Sequence, residues 1–519
     1  MKSPAAAPPR GLAAAERALF VVLGAWLVAA AALIDVEYYD GFEAVANAAF
    51  FAGKTGHYVA NRMPLISLVL APAEWVKSAL SLHPLEVRPH HAVMAFLTFG
   101  YLLWTRRLIN ARFGRTWASF LAFAAAVPSF IFFSYAPFVS HDIIPGVLFL
   151  AMLAGAERFL EKPEAKTWLA LTALGAAAAL VKQTCALFWV LTLLSFFLAQ
   201  LTGKKRGSFR PLLPLAAGAL ASGAVVWLAL GLVLGNPFPD SPLLARPLLQ
   251  IRGVGNIHAA DRALLFPWWI YARNFWAYGI AASALVIPGL VMALKGSRLR
   301  RAAAFSWIFS VALIQSLSFR EVRYLAFLAP LTAFLIAPPI AWVLRRRAAL
   351  AVLSVLLLAD VTIAASAARL VAHPFFRESP EKEFLAPLAP KGRDRLVLMD
   401  FEQLSFFPKD LESPLAGDPY HLMFHLGWHH VMLLYGYRTD QFAKISFPRQ
   451  WRPELLAGGD LVLIQANGIT VNGAASEEPP YVPKERLDLS LYRGDEHGFN
   501  LLRRYTENGV ERLEIKVRL

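Results

Sequence analysis

The sequence predicts a polytopic α-helical membrane protein that carries a soluble C-terminal α/β domain. Three observations predict it. Of 519 residues, 57% are hydrophobic and only 17% are charged, and the apolar residues gather into many runs of helix-spanning length. The Lys and Arg residues behind the formal charge of +15 sit in short clusters between those runs, "RRLINARFGR", "KKRGSFR", "KGSRLRR" and "LRRR". That is the spacing of the positive-inside rule and not of a nucleic-acid-binding surface, so nucleic acid is excluded as a partner. From about residue 371 the composition turns to that of a soluble chain.

Taken in order, hydropathy places about eleven spans: 17–34, 89–105, 116–135, 143–160, 167–181, 185–202, 211–234, 275–294, 302–319, 323–343 and 348–370. With the N-terminus cytoplasmic, all four basic clusters fall on the cytoplasmic side, and parity puts the C-terminus outside. Reading the first apolar run as a signal peptide leaves residue 35 on the same outer face. The stretch 64–82 is apolar but contains Pro72, Glu74 and Lys77, and counting it as a span would move every later cluster outside. It is expected to lie on or dip into the interface. Residues 42–53 carry Phe42, Val45, Ala46, Ala49 and Phe50 at helical spacing, so the first outer loop, 35–88, is expected along the membrane surface. A second outer loop, 235–274, mixes Pro237 and Pro239 with Trp268, Trp269 and Tyr271 and is expected to form a short lid.

The region 1–370 is thus the membrane domain and 371–519 an extracytoplasmic domain long enough to bury its own core. Its strands are expected in "DRLVLMDF", "GDLVLIQA", "NLLRRYTE" and "VERLEIKVRL", the last two flanking the hairpin signal Asn508-Gly509. Cys185 is the only cysteine, so this domain folds without an internal disulfide. His421, His425 and His429 are four residues apart, but Gly427 interrupts them and no carboxylate stands at ligand spacing, so they are read as ordinary histidines and no metal site is assigned.

The chemistry is expected at helix ends on the outer face. "DVEYYDGFE" puts Asp35, Glu37, Asp40 and Glu43 just beyond the first span, "SYAPFVSHD" brings His141 and Asp142, "AALVKQT" brings Lys182, and "SLSFREVRYLAFLAP" brings Arg320, Glu321, Arg323 and Tyr324. Carboxylates among fixed cations suit a reaction in which a base takes a proton from an acceptor hydroxyl while cations hold a phosphate leaving group. Each feature also has a plain structural reading. Asp40 with Glu43 has the spacing of a capping box, and Asp142 can be an N-cap for the helix that follows it. Lys182 can snorkel, and Arg320, Glu321 and Arg323 can pair with one another or with headgroups.

The order of these motifs, with "RMPL" containing Arg62 and "RRL…FG" between them, resembles the GT-C glycosyltransferases that use polyprenyl-phosphate sugars, such as the aminoarabinose and protein mannosyltransferase relatives. That family usually has adjacent Asp-Glu in its acidic motif, whereas Val36 separates Asp35 from Glu37 here. The resemblance implies a GT-C-like fold and an inverting transfer to a lipid, glycan or protein acceptor at the outer face of a bacterial inner membrane. It further implies catalytic roles among Asp40, Glu37, Asp35 and Asp142, and donor contacts from Lys182, Arg320, Arg323, Tyr324, Arg62 and His141. No cofactor follows from it, and a need for a divalent cation stays open. The rival expectation is a transporter or lipid-linked-sugar flippase. Transporters carry ionisable groups near the bilayer midplane, where Asp360 is the main candidate.

Overall fold

The computed structural model describes residues 9–55, 58–59, 62–203, 209–234, 268–316, 321–377, 379–388, 395–399, 403–404, 424, 426–445, 453–465, 499–507 and 510–518. The chain is a polytopic helical membrane protein with a small mixed sheet near its C-terminus. Among the described residues six helical segments are long and apolar enough to cross a membrane: Leu12–Leu33, Arg88–Phe113, Gln183–Leu201, Leu212–Val233, Val322–Val343 and Arg347–Leu370.

The membrane region comprises α1 (Leu12–Leu33), α2 (Tyr39–Phe51), α3 (Pro64–Ala79), α4 (Arg88–Phe113), α5 (Trp117–Ala126), α6 (Phe130–Tyr135), α7 (Ile144–Glu161), α8 (Ala165–Val181), α9 (Leu187–Leu201) and α10 (Leu212–Leu234). After the second outer loop come α11 (Ile270–Arg273), α12 (Ile280–Leu294), α13 (Arg298–Ser316), α14 (Ala329–Val343) and α15 (Arg347–Leu370). α1 and α4 run antiparallel. At one end of the pair His91 Nδ1 lies 3.2 Å from the Ile34 carbonyl, and at the other Arg106 Nε donates to Glu16 at 2.9 Å. That second end gathers two of the basic clusters, "RRLINARFGR" and "KGSRLRR". Arg115 Nε donates to Glu16 at 2.7 Å, Arg112 to Ser297 Oγ at 2.6 Å and Arg298 to Glu157 at 2.7 Å.

Several expected spans are interrupted for local reasons. The expected helix 116–135 breaks into α5 and α6 at Pro128, and Ser129 restarts it by accepting from the Phe132 amide at 3.5 Å. The expected helix 275–294 begins as a 3-10 turn, Phe275–Tyr278, and becomes α-helical only after Gly279, whose φ is +114°. There Asp360, reaching across from α15, accepts from the amides of Ile280 at 2.5 Å and Ala281 at 3.0 Å. A carboxylate in a hydrophobic helix is thus the N-terminal cap of its neighbour, which satisfies two orphan donors. Similarly, 323–343 opens with the 3-10 segment Val322–Leu328 before α14.

The first outer loop departs most from expectation. α2 is enclosed well beyond the one apolar stripe its sequence shows: every residue from Gly41 to Ala49 is buried. One side of α2 packs on α3, and the C-terminal region covers the other. The 16 residues of α3 fall short of a span, and it carries a buried ion cluster in which Glu74 receives Lys54 at 2.8 Å and Lys77 at 2.9 Å.

The C-terminal region opens with α16 (Pro374–Arg377) and α17 (Pro380–Leu385). A five-stranded sheet follows, ordered β4-β1-β5-β7-β6, from β1 (Leu396–Met399), β4 (Phe442–Ile445), β5 (Leu461–Gln465), β6 (Phe499–Glu507) and β7 (Val510–Arg518). β2 (Gln403–Leu404) and β3 (Leu426–Gly427) form a separate small ladder, followed by α18 (Trp428–Leu434). All four expected strands are present. β1 pairs in parallel with β4 and β5, and β6 pairs antiparallel with β7, with Glu507 opposite Val510 across the Asn508-Gly509 connection. The parallel strands are apolar at successive positions because both faces are covered. Val397, Met399, Val462 and Ile464 enter one cluster. Leu396, Leu398, Leu461 and Leu463 enter another that includes Phe42, Ala46, Val59, Leu85 and Val87 of the first outer loop. One face of the sheet thus has a cluster made of C-terminal residues alone, and the other is completed by the first outer loop.

Candidate active site

Asp40 sits in the first turn of α2, where a carboxylate suits the positive end of the helix dipole. It is not the cap. Tyr38 holds the N-cap position and no side chain caps the helix there. The Asp40 carboxylate instead receives Arg62 on one oxygen and Arg323 Nη2 on the other, the latter at 2.8 Å. Glu43, three residues on and therefore on the same helix face, is bound by Nε of the same Arg62. The spacing that suggests a capping box thus serves to offer two carboxylates to one guanidinium.

Asp142 also does not cap. The N-cap of α7 is Ile143, without a side-chain bond, and the Asp142 carboxylate holds Lys182 while lying 3.7 Å from Arg323 Nε. Lys182 stands where α8 stops, its backbone extended at φ −148° and ψ 129°, and its ammonium lies 4.6 Å from the centre of the Tyr324 ring. Arg323 lies between two rings, 5.4 Å from Tyr38 and 5.7 Å from Tyr324, and also binds Glu321. Gly146 lets these parts meet: a Cβ there would stand 2.4 Å from the Phe327 carbonyl oxygen. Only glycine allows α7 so close to the 3-10 segment that carries Arg323.

Five residues from separate parts of the chain, Asp40, Arg62, Asp142, Lys182 and Arg323, therefore form one continuous ion cluster. Burial by itself would raise the Asp40 carboxyl, but Arg62, Arg323 and Lys182 outweigh it and hold Asp40 well below the usual carboxylate range. Asp142 is lowered likewise, burial being overcome by Lys182 and Arg323. His141 is buried beside this cluster, and burial followed by the charge of Arg62 pushes it down to about 4. Its Nε2, like Arg323 Nη1, has no hydrogen-bond partner among the described residues.

Glu37 and Asp35 lie outside the cluster. Glu37 accepts from the amides of Tyr38 and Val139, each at 2.9 Å, and faces His91 Nε2 at 2.8 Å. With four lone-pair directions largely used and 1% of its surface exposed, it ties the first loop to the "SYAPFVSHD" turn. Asp35 is bound by Lys382 and lies 3.5 Å from Arg88. Arg320, His421, His425 and most of the loop 235–274 lie outside the described residues. Sequence reasoning passed over Tyr38, His91, Glu86 and Lys382. Nothing in their local spacing marks them, since their partners stand far away in the chain.

No protein-family model and no curated protein matches the chain. Solved structures do. The chain aligns over 96% of its length with 98% of ArnT from Cupriavidus metallidurans bound to undecaprenyl phosphate, at a TM-score of 0.63 and 13% identity. With the apo state of the same protein, 87% of this chain aligns with 93% of that one, at a TM-score of 0.57 and 12% identity. The archaeal oligosaccharyltransferase AglB from Archaeoglobus fulgidus, solved with an inhibitory peptide and a dolichol-phosphate, aligns over 70% of its length with 87% of this chain, at a TM-score of 0.54 and 12% identity. At such identities the likeness is one of fold: this chain shares the fold of ArnT and AglB, and its motif order leads one to expect a fold of that kind.

Proposed function

We propose that the chain is an inverting glycosyltransferase that moves a sugar from a polyprenyl-phosphate donor to an acceptor hydroxyl on a lipid, glycan or protein, at the outer face of a bacterial inner membrane. One observation carries the reading: Asp40 and Asp142 are held among Arg62, Lys182 and Arg323 in a fold also found in a protein solved with undecaprenyl phosphate. In the proposed step the acceptor oxygen attacks the anomeric carbon and the bond from that carbon to the phosphate oxygen breaks. The lipid phosphate leaves with the electron pair, and Asp40 takes the hydroxyl proton. A singly charged phosphodiester becomes a doubly charged monoester, so cations bind the transition state more strongly than the donor. No acid is needed on the leaving side.

Asp40 flanked by two guanidiniums is a weak base. Donor binding corrects this, because the phosphate competes for Arg62, Arg323 and Lys182 and draws their charge away from the carboxylate. His141 Nε2 and Arg323 Nη1 are the buried donors or acceptors left to meet the donor's sugar and phosphate. The test is release of free polyprenyl phosphate by purified protein from a panel of polyprenyl-phosphate sugars, followed by mass spectrometry. Asp40→Asn keeps shape but not proton acceptance and is expected to lose at least ~100-fold in rate. If the native chain releases no lipid phosphate yet moves labelled lipid-linked sugar across a proteoliposome bilayer, it is a flippase and this proposal fails.

A further inference from the structure

The first outer loop is bound at its base by a residue from outside the membrane region. Asp35 begins that loop and Glu86 ends it, and both carboxylates are held by the ammonium of Lys382 in α17, with Lys382 Nζ 2.9 Å from Glu86. Arg88 braces the same pair, 2.6 Å from Glu86 and 3.5 Å from Asp35. Asp35 and Glu86 are 7% and 6% exposed, so both carboxylates are buried, while Arg88 reaches them from the solvent side with its side chain 45% exposed. The Asp35 amide also donates to the Phe376 carbonyl at 2.6 Å. From the same region, the His430 ring of α18 rests 4.7 Å from Tyr39 and 5.8 Å from Phe42, the residues on either side of Asp40 and Gly41.

The geometry points to Lys382 as a positioning residue: by tying the base of the first outer loop to the C-terminal region that packs on α2, it fixes α2, and with it Asp40, at the depth where the reaction takes place. The two ends already meet where α1 packs on α4, with His91 Nδ1 3.2 Å from the Ile34 carbonyl, and Lys382 ties that closed base to the C-terminal region that covers one side of α2, which narrows the arrangements left to the helix. Lys382 touches neither Asp40 nor the cations around it, so its effect passes through the helix. This inference rests on the reading of Asp40 as the base, and its test is chosen to stand apart from that reading.

Hydrogen exchange of the full-length protein in detergent supplies that test. In Lys382→Met, amides of residues 39–51 are expected to exchange at least ~10-fold faster than in the native chain, while those of α14 are unchanged. Lys382→Arg, which keeps a cation able to bridge two carboxylates, is expected to restore protection. Native exchange in α2 of Lys382→Met overturns the proposal, and so does equal acceleration in α14, which marks general destabilisation. This arm needs no activity. Where transfer is measurable, Lys382→Met is expected to lower kcat at least ~10-fold with donor KM changed less than ~3-fold, because two of the three donor cations, Lys182 and Arg323, lie on other elements and only Arg62 shares the first outer loop. A native kcat, or a loss lying wholly in KM, overturns it as well.

Discussion

At the scale of single residues, spacing in the sequence picks out Asp40, Asp142, Lys182 and Arg323, but not their roles. Asp40 and Asp142 look like helix caps from their neighbours, and only the arrival of Arg62, Arg323 and Lys182 from other segments turns them into a charge cluster. Lys182→Ala removes a charge-assisted contact to the donor phosphate and leaves Asp142 without its closest cation. It is expected to cost on the order of 1.5–3 kcal/mol in donor binding or transition-state stabilisation, read from kcat/KM. Unchanged kinetics would remove Lys182 from the donor site. The pH profile is a second check. His141 has its pKa pushed down to about 4, so its ring is neutral above that value, and Asp40, lowered further, stays ionised. Neither group should impose an inflection on kcat/KM near the ordinary histidine value of ~6.5. An inflection there that vanishes in His141→Asn contradicts the buried neutral ring. The stability sign follows from the lowered carboxylates: the contribution of Asp40 and Asp142 is present above their unfolded values of ~4 and is lost as pH falls through their folded ones.

At the scale of elements, hydropathy locates most helices but not their breaks, because a break depends on what satisfies the freed backbone groups. Pro128 is visible in the sequence, yet the cap supplied to α12 by Asp360 from a helix 80 residues further along is not. That contact also accounts for the mid-helix carboxylate that a transporter reading would call on. The close approach of α7 to the segment Val322–Leu328 is a second such contact, and it is testable. A Cβ at Gly146 would lie 2.4 Å from the Phe327 carbonyl oxygen and 2.9 Å from Pro330, so Gly146→Ala must push the segments apart and carry Arg323 away from Asp142 and Asp40. Turnover is expected to fall on the order of 10- to 100-fold. Gly100→Ala, where an added Cβ meets nothing within 4 Å, is the control and should leave turnover unchanged. Equal turnover in the two variants would show that this approach does not set the site.

At the scale of the whole molecule, the basic clusters around Arg106, Arg112, Arg115 and Arg298 meet at the end of the bundle opposite Asp40, as a sided membrane protein requires. With Cys185 replaced by Ala, cysteines introduced at Lys162, 79% exposed, and at Leu519 are expected to label from opposite sides of the membrane. Labelling from the same side would rule out an odd number of spans between these two positions. The sequence by itself determined that this is a helical membrane protein with a strand-rich C-terminal region, because hydropathy, charge clusters and strand patterning are properties of neighbouring residues. Its motif order also pointed to the fold shared with ArnT and AglB. Tertiary structure alone decided that α2 is buried between α3 and the C-terminal region, that Glu37 and Asp35 serve as anchors while Asp40 faces the cations, and that Lys382 ties the base of the first loop to the C-terminal region. Those outcomes depend on contacts between residues up to hundreds of positions apart, such as Asp40 with Arg323 and Asp35 with Lys382. A local pattern reports what a segment can bury or pair, and only the packed chain fixes which partner reaches it.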